Sequence, residues 1–242
     1  WGGTYFPKDR FLQVIAAVSE AWVGRRDELE RSASQLLTAI SSSADTKPKA
    51  GVPGLDVVNG VLQQMAPSFD SEWGGFGKAP KFPSVHHLEL VLRTYMTNGS
   101  DDAKRVVTTT LDAMASGGMY DHIAGGFARY STDREWLVPH FEKMLYDQAL
   151  LLRIFRQATT VFASPNYRQV VEETIAYVLR ELRHPDGGFY SAQDADSPGP
   201  DGTPVEGWFA TWTPDEVRDA LAGMDTQAIG LAMAWYGITD EG

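Results

Sequence analysis

Between Tyr120 and Asp147 the chain gathers side chains that move protons. Asp121 and His122 come first, then Arg129 and Tyr130, then Arg134 and Trp136, then His140, Glu142, Lys143, Tyr146 and Asp147. Imidazoles and carboxylates held around one substrate can abstract a proton beside a carbonyl, or serve as a general acid/base pair. A helix running from about His140 to Phe162 places His140, Lys143 and Asp147 on one face by the i, i+3, i+7 rule, with Glu142 and Tyr146 on an adjacent face. His140 then lies in the first helical turn. There the helix dipole disfavours the imidazolium and leaves a neutral ring able to accept a proton. Asp121 and His122 stand beside a glycine turn. The structural alternative is that His140 and Glu142 cap or pair locally and that Asp147 is an ordinary ion-pair partner, since perturbed ionisable groups also occur in structural networks.

A second group, Gln193, Asp194 and Asp196, lies within Ser191–Ser197. Two carboxylates beside an amide suit a hydroxyl-rich ligand or a cation. The spacing departs from a calcium loop, because Pro198 holds a ligand position and Glu206 is one residue late for the bidentate glutamate. No metal and no cofactor are expected. Sugar contact fits better, because Trp73, Trp136, Tyr190, Trp208 and Trp212 offer flat apolar platforms near the same loops. The competing reading is that these aromatics pack the loops against helix ends. His86 and His87 are adjacent and point in different directions on a helix, and His184 precedes Pro185 at a helix end, so neither carries a site here.

Three glycine-aromatic loops position these groups: Gly74-Gly75-Phe76, Gly125-Gly126-Phe127 and Gly187-Gly188-Phe189. Amphipathic stripes lie between them, such as Val85, Leu88, Val91, Leu92, Tyr95 and Val107, Leu111, Met114. Ser100 can cap the helix that Gly117-Gly118 stops, and Thr213-Pro214-Asp215-Glu216 has the form of a capping box. Residues 127–137 suggest a small hairpin turning near Asp133, residues 209–212 a strand, and the run after Ala149 an inner, buried helix. A loop recurring about once per helix pair implies repeated helical hairpins with their loops on one face. A helical pattern also runs from Arg10 to Ile40, followed by a Ser, Lys, Pro and Gly-rich linker at 41–54.

The 242 residues carry a net charge of -11 and no cysteine. That balance argues against nucleic acid and anionic membrane surfaces as partners, because both require clustered Lys and Arg. The lack of cysteine removes disulfides and thiol chemistry from this chain. No apolar run approaches the roughly 20 residues of a membrane span. A cytoplasmic location is expected.

The runs Gly117–Ser131, Trp136–Asp147, Gly188–Ser197 and Trp73–Pro83 are long and specific. They resemble the spermatogenesis-associated protein 20 / YyaL family of thioredoxin-domain-containing proteins, and the resemblance covers nearly the whole chain. It implies a cysteine-bearing thioredoxin-like domain followed by an (α/α)6 toroid similar to N-acylglucosamine 2-epimerases. On that basis residues 1–40 are the tail of the thioredoxin-like domain with a bridging helix. Residues 41–54 are a linker, and residues 55–242 are the first part of the toroid. The fold class is all-α, a partial toroid of helical hairpins with short β-hairpin loops. About seven helices follow Gly54 where the family fold uses twelve, so the chain reads as a fragment, with thioredoxin-like and C-terminal toroid segments missing and a cut edge prone to self-association. Epimerase-like sites use histidines as acid and base, and the matching positions are His140 and His122. The resulting expectation is a carbohydrate-active epimerase or isomerase. His140 is the base, His122 or Asp121 the acid and Glu142 an accessory carboxylate. Arg129 or Arg134 holds an oxyanion, and Tyr130, Trp136, Lys143, Tyr146, Asp147, Gln193, Asp194 and Asp196 line the sugar. The alternatives are a non-catalytic sugar- or protein-binding module attached to a thioredoxin-like domain, and a glycoside hydrolase using paired carboxylates such as Asp121 and Asp194.

Overall fold

A computed structural model describes residues 7–44 and 54–239. The first six residues of the expected thioredoxin-like tail and residues 45–53 of the 41–54 linker lie outside the described residues. The chain divides into two units, residues 1–54 and 55–242. In the first, α1 (Lys8–Gly24) packs on α2 (Arg26–Ala44), with a break at Arg25, whose N–H still bonds Ala21 O. Phe11, Ile15, Val18 and Trp22 recur at helical spacing on α1 and are each about half-exposed.

The second unit contains seven α-helices among the described residues: α3 (Leu55–Met65), α4 (Val85–Asn98), α5 (Asp101–Ser116), α6 (Leu145–Phe162), α7 (Pro165–Tyr177), α8 (Pro214–Ala220) and α9 (Thr226–Trp235). α4 pairs with α5, α6 with α7, and α4 also packs on α6. This is the helical-hairpin architecture that the sequence implies. The caps are as expected. Ser100 Oγ accepts the Ala103 N–H, and Thr213 and Glu216 form a capping box. One core runs through Leu88 and Leu92 of α4, Val107, Leu111 and Met114 of α5, and Leu151, Ile154, Phe155 and Ala158 of α6. α6 is buried on one face only. Arg153 and Arg156 are exposed, and Arg153 pairs with Glu89 of α4.

The strands are two or three residues long and all antiparallel. β1 (Tyr130–Ser131) pairs with β2 (Pro139–His140), β3 (Lys143–Met144) with β4 (Ala192–Gln193), and β5 (Asp196–Pro198) with β6 (Pro204–Glu206). The 209–212 segment is a 3-10 turn over Trp208–Ala210 rather than the expected strand. Gly207, at φ 73°, redirects the chain there and its carbonyl accepts the Ala210 N–H.

Two of the three glycine loops share one construction. In the first, Asp70 Oδ1 accepts the N–H groups of Glu72 and Trp73, the Asp70 backbone pairs with Gly74 and Gly75, and Lys81 Nζ bonds both Asp70 Oδ2 and Gly74 O at 2.9 Å. In the second, Asp121 Oδ1 accepts from Ile123 and Ala124, the Asp121 backbone pairs with Gly125 and Gly126, and Lys143 Nζ bonds Asp121 Oδ2 at 2.8 Å and Gly125 O at 3.0 Å. Each loop then seats on the helix hairpin that follows it. A Cβ on Gly74 would lie 2.6 Å from Thr110 Cα of α5, and one on Gly125 would lie 2.5 Å from Glu173 O of α7. The third loop departs from this pattern. His184 stands where the aspartate stood, the turn is one residue shorter, and nothing lies within 4 Å of a Cβ on Gly187 or Gly188.

The first loop makes a paired prediction. Gly75 and Gly77 both have positive φ, 75° and 84°, but only Gly75 is crowded, with Trp136 Cζ2 2.5 Å from its would-be Cβ. Gly77→Ala is expected to cost about 1–2 kcal/mol from backbone strain alone. Gly75→Ala is expected to cost at least about 1 kcal/mol more, as overpacking adds to that strain. Urea unfolding of the two variants measures the difference.

Candidate functional site

The segment 139–144 corrects the expectation of a helix starting at His140. These residues are extended, and α6 begins at Leu145 with Met144 as its N-cap. The cause is backbone pairing on both sides. His140 pairs with Tyr130, Glu142 O accepts the Arg129 N–H at 2.8 Å, and Lys143 pairs with Gln193. The Asp133 carboxylate tightens the turn that brings the strand back, accepting from Glu135, Leu137 and Val138. His140 therefore has no helix dipole to keep it neutral. His140, Lys143 and Asp147 also share no helical face. Of the expected set, only Tyr146 and Asp147 lie in the first turn of α6.

Extended backbone sends successive side chains to opposite sides. Pro139, Phe141 and Lys143 line a cavity of about 1150 Å³. His140 and Glu142 are absent from its lining and belong to a separate cluster. The sequence's single constellation is thus three groups in space.

The first group is the half-buried His140 cluster. Arg129 Nη1 donates to Glu142 Oε2 at 2.7 Å, and Tyr146 lies near the same guanidinium. His140 Nε2 lies 3.7 Å from Glu142 Oε2, and its Nδ1 lies 2.7 Å from Glu206 Oε1. The Tyr130 ring stacks on the imidazole with centroids 4.9 Å apart and planes 21° apart. Asp147 is buried beside Arg129 and Glu142. Burial pushes its carboxyl up to about 6 from an ordinary 3.8; Arg129 opposes the shift and the Glu142 charge adds to it. Asp147 Oδ2 and Arg129 Nε are both buried with no hydrogen-bond partner among the described residues. Unpaired buried polar atoms are rare in folded proteins and cost about 1–3 kcal/mol each.

The second group lines the cavity: Asp121, His122, Lys143, Gln193, Asp194 and Asp196, with the rings of Tyr177, Trp212 and Tyr236. Much of it is already engaged. Burial would raise the Asp121 carboxyl, but Lys143 and the Ala124 and Ile123 N–H groups hold it below the usual carboxylate range. His122 Nε2 lies 3.0 Å from Gly117 O, and Gln193 Oε1 accepts from Tyr177 at 2.7 Å. Asp194 and Asp196 are exposed at the rim. His122 is thus not brought to His140.

The third group is structural. Arg134 clamps Asp70 with bonds of 2.6 and 2.8 Å, and Trp136 is fully buried with Nε1 bonded to Trp73 O. Both brace the first glycine loop and neither lines the cavity, and of the other expected platforms only Trp212 does. Glu206 and Tyr177 were not foreseen at these sites. Glu206 reaches His140 across 66 positions, and no local pattern signals such a contact. Among the described residues no group of three or more His, Asp or Glu side chains is arranged to hold a metal, and no helix is long and apolar enough to cross a membrane.

Asp147 gives a pH prediction. Its folded pKa lies above its unfolded value, so its ionisation opposes folding. The cost is absent below about pH 4 and complete above about pH 6. Asp147→Asn is expected to be more stable than the parent by up to about 3 kcal/mol at neutral pH and to match it near pH 4. Urea unfolding at the two pH values measures this.

No protein-family model matches the chain. Among solved structures it is similar to a sugar epimerase from a ruminal bacterium, with TM-score 0.49 and 16% identity over 55% of this chain and 37% of that one. It is also similar to the cellobiose 2-epimerase of Spirochaeta thermophila, with TM-score 0.49 and 15% identity over 75% of this chain and 53% of that one. By sequence it is 37% identical over 261 residues to human spermatogenesis-associated protein 20 and 36% identical over 263 residues to the mouse protein. Each match covers 100% of this chain and 33% of the relative, so the chain spans about a third of the length of these proteins. Along its whole length the chain is therefore a homologue of spermatogenesis-associated protein 20.

Proposed function

We propose that the helical unit acts on carbohydrate by epimerase- or isomerase-like proton transfer, centred on the His140 cluster. The observation that carries this reading is the buried Asp147 carboxyl, unpaired at Oδ2 and shifted to about 6, beside an arginine whose Nε is also unpaired. A carboxyl with that pKa exchanges protons near neutral pH, which is what acid–base catalysis requires. His140 acts as the base and Asp147 replaces His122 and Asp121 as its partner acid. Arg129 stabilises the negative charge that develops on oxygen when a proton leaves the carbon beside a carbonyl. Tyr130 and Tyr146 border the same half-exposed cluster and supply contacts for a sugar.

The hydrolase reading has less support. Both Asp121 oxygens, one of which would have to act on the substrate, already accept bonds from Lys143 and from the Ile123 and Ala124 N–H groups. A non-catalytic binding module has one observation in its favour: the cavity pairs the rings of Tyr177, Trp212 and Tyr236 with Gln193, Asp194 and Asp196. Rings beside amides and carboxylates suit hydroxyl-rich ligands.

The two readings separate in a panel of mono- and disaccharides given to the intact protein. For proton transfer, His140→Ala and Asp147→Asn are expected to lower epimer formation by about 10²-fold or more, while His122→Ala retains it. Saturable binding without turnover, weakened by Asp194→Ala or Trp212→Ala and indifferent to His140, would favour the binding module.

A further inference from the structure

His140 touches one carboxylate that its own strand does not supply. Glu206 ends β6, and its Oε1 lies 2.7 Å from His140 Nδ1. Gly207, the next residue, seats the β5–β6 hairpin. Its N–H donates to Ala195 O at 2.9 Å, its φ is 73°, and a Cβ there would lie 2.5 Å from Cε2 of Phe141. Phe141 stands between His140 and Glu142 and points to the cavity side of the strand. The hairpin thus rests on the Phe141 ring through Gly207 while Glu206 reaches the neighbouring imidazole.

This contact has a chemical consequence. An ionised carboxylate only accepts hydrogen bonds, so Nδ1 must carry the proton. In the neutral ring the lone pair is then on Nε2. Nε2 lies 3.7 Å from Glu142 Oε2, beyond hydrogen-bond distance, and that oxygen already accepts from Arg129. The stacked Tyr130 ring limits rotation of the imidazole. An ordinary surface ion pair between partners so exposed contributes little and does not dictate a tautomer. Here two further contacts, the Gly207–Phe141 seat and the Tyr130 stack, constrain the same geometry.

We propose that Glu206 is a positioning residue for His140: through the β5–β6 hairpin it fixes the Nδ1–H tautomer and leaves Nε2 as the proton-accepting atom. The role rests on the proton-transfer reading of this site, but the imidazole state is measurable without any substrate.

The test is ¹⁵N NMR of the histidine-labelled 242-residue chain in alkaline buffer, where imidazoles are neutral, with His140→Ala to identify the resonance. The parent is expected to show Nδ1 protonated and Nε2 bare. Glu206→Ala is expected to shift population to the Nε2–H form. Glu206→Gln, whose side-chain carbonyl also accepts, retains the parent pattern. Gly207→Ala keeps the carboxylate but displaces the hairpin from Phe141, and is expected to behave like Glu206→Ala. An Nε2–H parent, or an unchanged pattern in Glu206→Ala, overturns the proposal. With a turned-over sugar in hand, Glu206→Ala is expected to lower kcat by about tenfold or more with little change in KM, and Glu206→Gln to restore it; an unchanged kcat also overturns it. The expected tautomers without any turnover would count against proton transfer while leaving the positioning contact intact.

Discussion

The arrangement depends on a buried lysine closing a glycine turn around an aspartate. Lys143 lies under Tyr177, with Nζ 4.4 Å from the ring centroid, and bonds Asp121 and the Gly125 carbonyl. Removing one partner of such a buried pair leaves an uncompensated charge and costs about 3–5 kcal/mol. The lysine is therefore committed to the cavity side of its strand. Period-two alternation then sends Glu142 and His140 to the other side. The geometry of the His140 cluster follows from a structural contact on the opposite side of the strand. The Asp70–Lys81 pair of the first loop performs the same function, reinforced by Arg134 from solvent. That repetition is the strongest reason to regard Asp121 and Lys143 as framework.

Two aspartates show how environment divides one residue type into two roles. Asp121 is partly buried but meets an ammonium and two N–H groups, so it stays ionised. Asp147 is buried near an arginine already taken by Glu142, and the same Glu142 charge opposes its ionisation. The first is a brace and the second is poised near neutral pH. Sequence composition near the two is similar. Only the distribution of donors around each oxygen separates them.

Much of the architecture was legible in the residues. The stripes of α4 and α5, the Ser100 cap and the Thr213 box are local patterns whose physics is complete within a few positions. The run from Leu145 was equally clear as a helix, but its start was not. Pro139 suits a first helical turn, and nothing nearby reveals that Tyr130 and Gln193 compete for the backbone of 139–144. The pairing places His140 in a strand instead of at a helix terminus and separates it from His122. Glu206 was invisible for a related reason, because its partner lies 66 positions away and the connection runs through a glycine that matters only for the space its missing Cβ leaves to Phe141. The third glycine loop looked like the other two in sequence, yet the exchange of aspartate for His184 and one fewer residue give it a different turn with open glycines.

If His140 and Asp147 move protons on a sugar, the hydrogen on the carbon beside the sugar's carbonyl must pass through exchangeable groups. The most direct measurement is deuterium wash-in from D2O at that carbon in a reducing sugar, followed by NMR with the intact protein and with His140→Ala. Saturable wash-in by the parent, lost in the variant, is the expected result. Saturable sugar binding with wash-in no faster than in buffer would contradict proton transfer at this cluster.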